Sequence, residues 1–140
     1  MLFRSMLGEQ IAEARGKITG QRVLDVEGPK IEYSFAASGT MKGIQIAHIA
    51  TFYTIPKGNI LYGQGQGVIT SRDGSGDMAT EIGHGIGEFI DNGKKVKFRG
   101  SFFYKASSSG KLAFLNSIVG VFEYEADEAG NTFYKVWEWK

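Results

Sequence analysis

The sequence predicts an all-β fold: an eight-stranded antiparallel up-and-down β-barrel with a short N-terminal helix. Three observations carry this prediction. Val, Ile, Thr, Phe and Tyr gather in runs of roughly ten to fourteen residues. Each run is closed by Gly combined with Asp, Asn, Pro or Ser. The 140 residues, 42% hydrophobic and 13% aromatic, suffice for one domain with one core.

Taken in order, residues 1–14 read as the helix, because Phe3, Leu7, Ile11 and Ala14 recur near a helical period with Arg4, Glu9, Gln10 and Glu13 between them. From Gly16 onward the rhythm is that of strands. Turn signals stand at "EGPK" (Glu27 to Lys30), "ASGT" (Ala37 to Thr40), "IPKGN" (Ile55 to Asn59), "RDGSGD" (Arg72 to Asp77), "DNGK" (Asp91 to Lys94), "SSSGK" (Ser107 to Lys111) and "DEAGN" (Asp127 to Asn131). Between them lie strands at 16–26, 30–37, 41–54, 59–72, 77–90, 94–106, 111–126 and 131–139, so the barrel fills residues 16–139. Pro29 and Pro56 fall in turns, where a missing N–H does no harm. Long strands joined by short turns make a meander, and eight strands are enough to close and hide the edges. A two-sheet sandwich is the structural alternative.

Charge and composition exclude several classes of function. Sixteen basic and fifteen acidic residues leave a net charge of +1, which offers no general attraction to nucleic acid or to an anionic membrane. Lys94, Lys95, Lys97 and Arg99 read as a solvated strand face beside a turn. The absence of cysteine excludes disulfides, thiol nucleophiles and zinc knuckles. The N-terminus lacks the apolar run of a secretory signal, and no stretch reaches the roughly 20 apolar residues of a membrane span. A cytoplasmic protein is expected. The two histidines, His48 and His84, have no ligand neighbours at a metal-binding spacing, so neither a metal nor a cofactor is expected.

Gly63, Gly65 and Gly67, then Gly83, Gly85 and Gly87, recur at a spacing of two. In strands, that spacing leaves a bare strip on one face. If Gly74-Ser75-Gly76 is a three-residue loop, Gly67 lies opposite Gly83 and the strips merge; a two-residue turn would send them to opposite faces. Glycine in a strand loses entropy and packs nothing, so something must compensate. Phe98, Phe102 and Tyr104, or Phe114 and Phe122, can fill the strip, and a ligand lying over it is the functional alternative. Neither cluster has the Rossmann or phosphate-loop pattern.

Two polar groups are candidates for chemistry. His84, Glu88 and Tyr62 share a face in the three-residue register and suit acid–base work if buried; on a solvated face, Glu88 would pair with Lys97. Glu123, Glu125 and Asn116 form the second group, near the last hairpin. Trp137 and Trp139 alternate with Glu138 on a final strand with one buried face.

"TFYTIPKGNILYGQGQGVITSRD" (Thr51 to Asp73), "ATEIGHGIGEFIDNG" (Ala79 to Gly93) and "FRGSFFY" (Phe98 to Tyr104) together resemble the allene oxide cyclase barrel group, which includes the dirigent-like barrels. The two ends of the chain are more similar to a bacterial branch of the same barrels. The resemblance implies an eight-stranded barrel with an apolar cavity, often oligomeric, and in some members cofactor-free cyclisation or coupling of lipophilic substrates. The plant cyclase uses a cavity glutamate with a bound water, and no local motif maps that residue onto Glu81, Glu88 or Glu123.

The expected function is binding of a hydrophobic or amphipathic small molecule in or at the mouth of the barrel. Gly63, Gly65, Gly67, Gly83, Gly85, Gly87, Phe98, Phe102, Tyr104 and Asn116 are the candidate contacts. The alternatives are a cofactor-free isomerase or cyclase using Glu88, His84, Tyr62 or Glu123, and a filled barrel acting through oligomerisation. Strands such as "IQIAHIATFY" (Ile44 to Tyr53) are apolar on both faces, which predicts a homo-oligomer, dimer or trimer.

Overall fold

A computed structural model describes residues 7–140. Eight strands follow one another around a closed barrel: β1 (Leu7–Asp25), β2 (Lys30–Met41), β3 (Ile44–Lys57), β4 (Ile60–Ser71), β5 (Met78–Ile90), β6 (Lys95–Ala106), β7 (Val119–Asp127) and β8 (Asn131–Trp139). All neighbours are antiparallel, and β8 returns to pair with β1. Inward and outward residues alternate on each strand. On β5, Ala79, Glu81, Gly83, Gly85 and Gly87 face in while Thr80, Ile82 and His84 face out.

The expected N-terminal helix is not seen. Residues 7–14 belong to β1, where Ala12 and Ala14 pair with Met41 and Gly39 on one side and with Val136 and Tyr134 on the other. Residues 1–6 lie outside the described residues. The misreading has a physical source: a register shift between Gln10 and Ala12 lets consecutive Ile11 and Ala12 both be buried. A bulge thus imitates a helical apolar stripe. The segment is held on one side by β2 and on the other by β8, more than a hundred positions away.

Two further boundaries differ from expectation. β2 runs straight through "ASGT" to Met41, and the chain reverses at Lys42-Gly43 (φ +46° and +79°) between the paired Met41 and Ile44. That two-residue loop has the positive φ angles a tight hairpin requires. β7 begins only at Val119, because Ala113–Ser117 forms a single 3₁₀ turn instead of strand. This turn closes one end of the barrel. Leu112, Leu115 and Ile118 are buried in the same core cluster as Ile11, Met41, Ile46, Ile69 and Val136.

The closure is fastened by polar contacts. Asn116 Nδ2 donates to the Ala106 carbonyl (2.9 Å) and its Oδ1 accepts from the Ala106 N–H (2.8 Å), taking the place of a strand partner. Lys111 Nζ meets Asp73 (2.5 Å), and the Lys111 N–H donates to Asp77 (2.8 Å). The opposite end is open. There β1 pairs with β8 only as far as Lys17–Asn131, and its remainder continues with β2 as a hairpin.

Candidate functional site

β4 and β5 bring the two glycine strips together. Gly63 pairs with Gly85, Gly65 with Gly83, Gly67 with Glu81 and Leu61 with Gly87. The pairing is displaced by two from the expected one, since the reversal takes residues 72–76 and the Ser71 N–H bonds the Asp77 carbonyl (2.8 Å). A shift of two preserves the face. All six glycines therefore look into the lumen.

Aromatic rings lie where their side chains would be. A Cβ on Gly87 would sit 2.5 Å from Phe98 Cε1, and one on Gly63 would sit 3.0 Å from the same atom. Phe102 covers Gly83, and Phe122 approaches Gly85 (3.1 Å to a Cβ). Phe102 and Phe122 stack with centroids 4.2 Å apart. The glycines form a recess that lets the rings lie back against the wall. Between the rings remains a chamber of about 60 Å³, lined by Phe35, Phe52, Phe98, Phe102, Phe122 and Tyr124 and reaching Glu81.

The floor of the chamber is polar. Glu81 and His48 are 4% and 1% exposed, and His48 Nε2 meets Glu81 Oε1. His48 Nδ1 lies 2.8 Å from the Tyr134 hydroxyl. Glu81 and the Tyr134 hydroxyl thus meet the imidazole at its two ring nitrogens. Tyr104 stands directly across the β5–β6 ladder from Glu81, and its buried hydroxyl has no hydrogen-bond partner. Burial pushes the Tyr104 and Tyr134 hydroxyls well above the usual tyrosine range, and the Glu81 charge adds to the effect. Burial likewise raises Tyr124.

Phe52 and Phe98 also border a second space, about 240 Å³ at the open mouth, framed by Ile18, Tyr33, Leu61, Phe89 and Val96. Lys94, Lys95, Asp127 and Glu128 stand at its rim. Phe52 and Phe98, with centroids 6.0 Å apart, divide mouth from chamber.

The expected acid–base group lies outside. His84 and Tyr62 bond each other on the outer wall (Nδ1 to hydroxyl, 2.6 Å), and Glu88 is exposed and paired with Arg99 (3.3 Å), not with Lys97. The reason is parity: the positions that turn Gly83, Gly85 and Gly87 inward turn His84 and Glu88 outward. Glu123, between the inward Phe122 and Tyr124, likewise faces out and pairs with Lys97 (2.9 Å). Asn116 belongs to the closed end, as described above. Trp137 and Trp139 share the outer face of β8, whose buried positions are Thr132, Tyr134 and Val136. Phe98 and Phe102 do line the chamber, and Tyr104 stands beside its floor.

The pair that sequence reasoning missed is His48 with Glu81. Its signal was present: His48 alternates with Ile46, Ala50 and Phe52 on an apolar face, and Glu81 extends the inward run of Gly83, Gly85 and Gly87. Their contact needed β4 between them to carry Gly67. A Cβ there would lie 2.7 Å from both Glu81 Oε1 and His48 Nε2. Among the described residues, no group of three or more His, Asp or Glu side chains could hold a metal ion. None of their helices is long and apolar enough to cross a membrane.

No family model and no curated protein matches the chain. Solved structures do. A protein of unknown function from Clostridium acetobutylicum superposes with a TM-score of 0.78 at 10% identity, over 94% of this chain and 98% of that one. A conserved protein of unknown function from Rhodopseudomonas palustris gives 0.76 at 13% identity, covering 99% of both chains. At these identities the likeness is one of fold: the chain is a small closed β-barrel of the same architecture.

Proposed function

We propose that the barrel binds a small amphipathic molecule, taken through the open mouth past Phe52 and Phe98 into the lumen. One observation supports this reading above all: an apolar, aromatic chamber that ends on a buried carboxylate, in a barrel plugged at one end and open at the other. A merely filled barrel gains nothing from burying Glu81, because a charged group in an apolar interior is costly. The test is mass spectrometry of natively purified protein together with titration of a neutral lipophilic dye. We expect saturable dye binding, weakened by Ala50→Leu, which grows a side chain into the chamber. No co-purifying molecule and no saturable binding would overturn the proposal.

A second reading is favoured by Glu81 itself. A desolvated carboxylate with a tyrosine hydroxyl across the ladder is the equipment for cofactor-free proton transfer at a carbon next to a carbonyl, with Glu81 as base and Tyr104 donating to the developing oxyanion. This would align the chain with the allene oxide cyclase-like barrels that its central motifs resemble. Deuterium exchange into a bound ketone, lost in Glu81→Gln, is the expected signature; no exchange above the buffer rate would remove this reading.

The setting belongs to the same proposal. A cysteine-free chain suits the cytoplasm. Ile49, Val68, Ile82 and Phe103 stand exposed along neighbouring strands and suit contact with a second copy of the chain.

A further inference from the structure

Resting on the lumen-binding reading, we infer that the ligand's inner end is cationic: a protonated amine on a compact aromatic or alkyl body. The argument is one of charge and shape. Among the described residues that line the chamber Glu81 is the one acid, and no Lys or Arg is among them. His48, whose two ring nitrogens meet Glu81 and the Tyr134 hydroxyl, fixes where the carboxylate points. Around it stand the rings of Phe35, Phe52, Phe98, Phe102, Phe122 and Tyr124, whose faces carry the negative lobes of their quadrupoles.

Rings enclosing one buried carboxylate attract an ammonium twice, through the ion pair and through cation–π contact. The same surroundings repel a carboxylate or phosphate and leave a neutral alcohol with only a hydrogen bond. Tyr104, across the ladder from Glu81, carries a buried hydroxyl without a partner that an ammonium drawn to the carboxylate can use as an acceptor. The chamber is sized for the head and a few carbons, so the body passes Phe52 and Phe98 into the mouth, whose walls Ile18, Leu61 and Val96 are apolar. At the rim, Lys94 and Lys95 are balanced by Asp127 and Glu128, so the mouth itself does not select charge.

Calorimetric titration of the full chain with 2-phenylethylammonium, 2-phenylethanol and phenylacetate tests this, because the three share a ring and differ in the head. We expect the ammonium to bind at least tenfold tighter than the alcohol, and the acid more weakly than either. Glu81→Gln should bring the ammonium down to the alcohol's affinity while leaving the alcohol's unchanged. Should that variant fail to fold, the three-way comparison on the native protein decides, with His48 ring resonances shifting at ammonium saturation. An alcohol or acid that binds as tightly as the ammonium overturns the inference while lumen binding stands. If none of the three binds and the neutral dye does not bind either, both fall.

Discussion

Placing a methyl group on Gly87 tests the claim that the glycine strips exist to seat aromatic rings. In Gly87→Ala the new Cβ would lie 2.5 to 2.8 Å from three atoms of the Phe98 ring, which is 5% exposed and packed against Phe52 and Tyr124. Overpacking of this kind costs about 1–3 kcal/mol. Relief of glycine's entropic cost within a strand returns about 0.5–1 kcal/mol. The net loss is roughly 1–2 kcal/mol, or a fall in Tm of about 3–6 °C for a domain of this size. Phe98→Ala alone should cost about 3–5 kcal/mol through its cavity. In that background Gly87→Ala has no ring to meet and should be neutral or stabilising, giving a coupling of about 2 kcal/mol. Denaturant unfolding of the four proteins, followed by tryptophan fluorescence and circular dichroism, measures the cycle. If Gly87→Ala costs the same with and without the Phe98 ring, the seating argument is refuted.

Three other outcomes follow from the same geometry. Gly100→Ala should be worse than Gly87→Ala, by at least about 3 kcal/mol, because its Cβ would run into the His84 carbonyl and lie 2.7 Å from Gly85 Cα, and backbone cannot step aside; equal midpoints for the two variants would contradict this. Asp73 is held far below the usual carboxylate range, first by Lys111 and then by Ser75, so its contribution is fully present above the unfolded-state pKa and fades only as pH falls through the lower folded value. Hydrogen exchange at residues 107–118 should therefore stay slow through pH 4 in the native chain and quicken in Asp73→Asn; identical protection in both would show that the closure does not depend on this contact. Phe103→Glu, on the exposed outer band, should shift any oligomer toward monomer in light scattering without changing the circular dichroism spectrum, and an unchanged mass would exclude this band as the interface.

The local rules of strands were readable along most of the chain. Period-two alternation and Gly-based turns located six of the eight strands to within a few residues and implied closure into a barrel, although Pro56, expected in a turn, pairs with Leu61 inside β3. The failures have specific causes. "LGEQIAEA" looked helical because a bulge places Ile11 and Ala12 on one side. "KLAFLNSI" looked like strand because a plug needs the same apolar residues as a wall, and periodicity does not distinguish them. "ASGT" looked like a turn because Gly39 serves a close approach to Glu13 and Ala14 of β1, a contact between strands that one strand cannot announce.

The candidate site divides along the same line. By itself the sequence determined that each glycine triplet shares a face and that Phe98, Phe102 and Tyr104 follow on the next strand, since those facts depend only on alternation; that the two strips merge was decided by the reversal at residues 72–76. Which face points inward, and what lies across the lumen, was decided by closure of the barrel. Closure turned Glu88 and His84 out to solvent by the same parity that turned Gly83, Gly85 and Gly87 in. It also brought His48 of β3, Glu81 of β5 and Tyr134 of β8 into contact through the space that Gly67 leaves empty. Alternation is a property of neighbouring residues. A buried polar constellation is a property of the circumference, and it exists only once β8 has found β1.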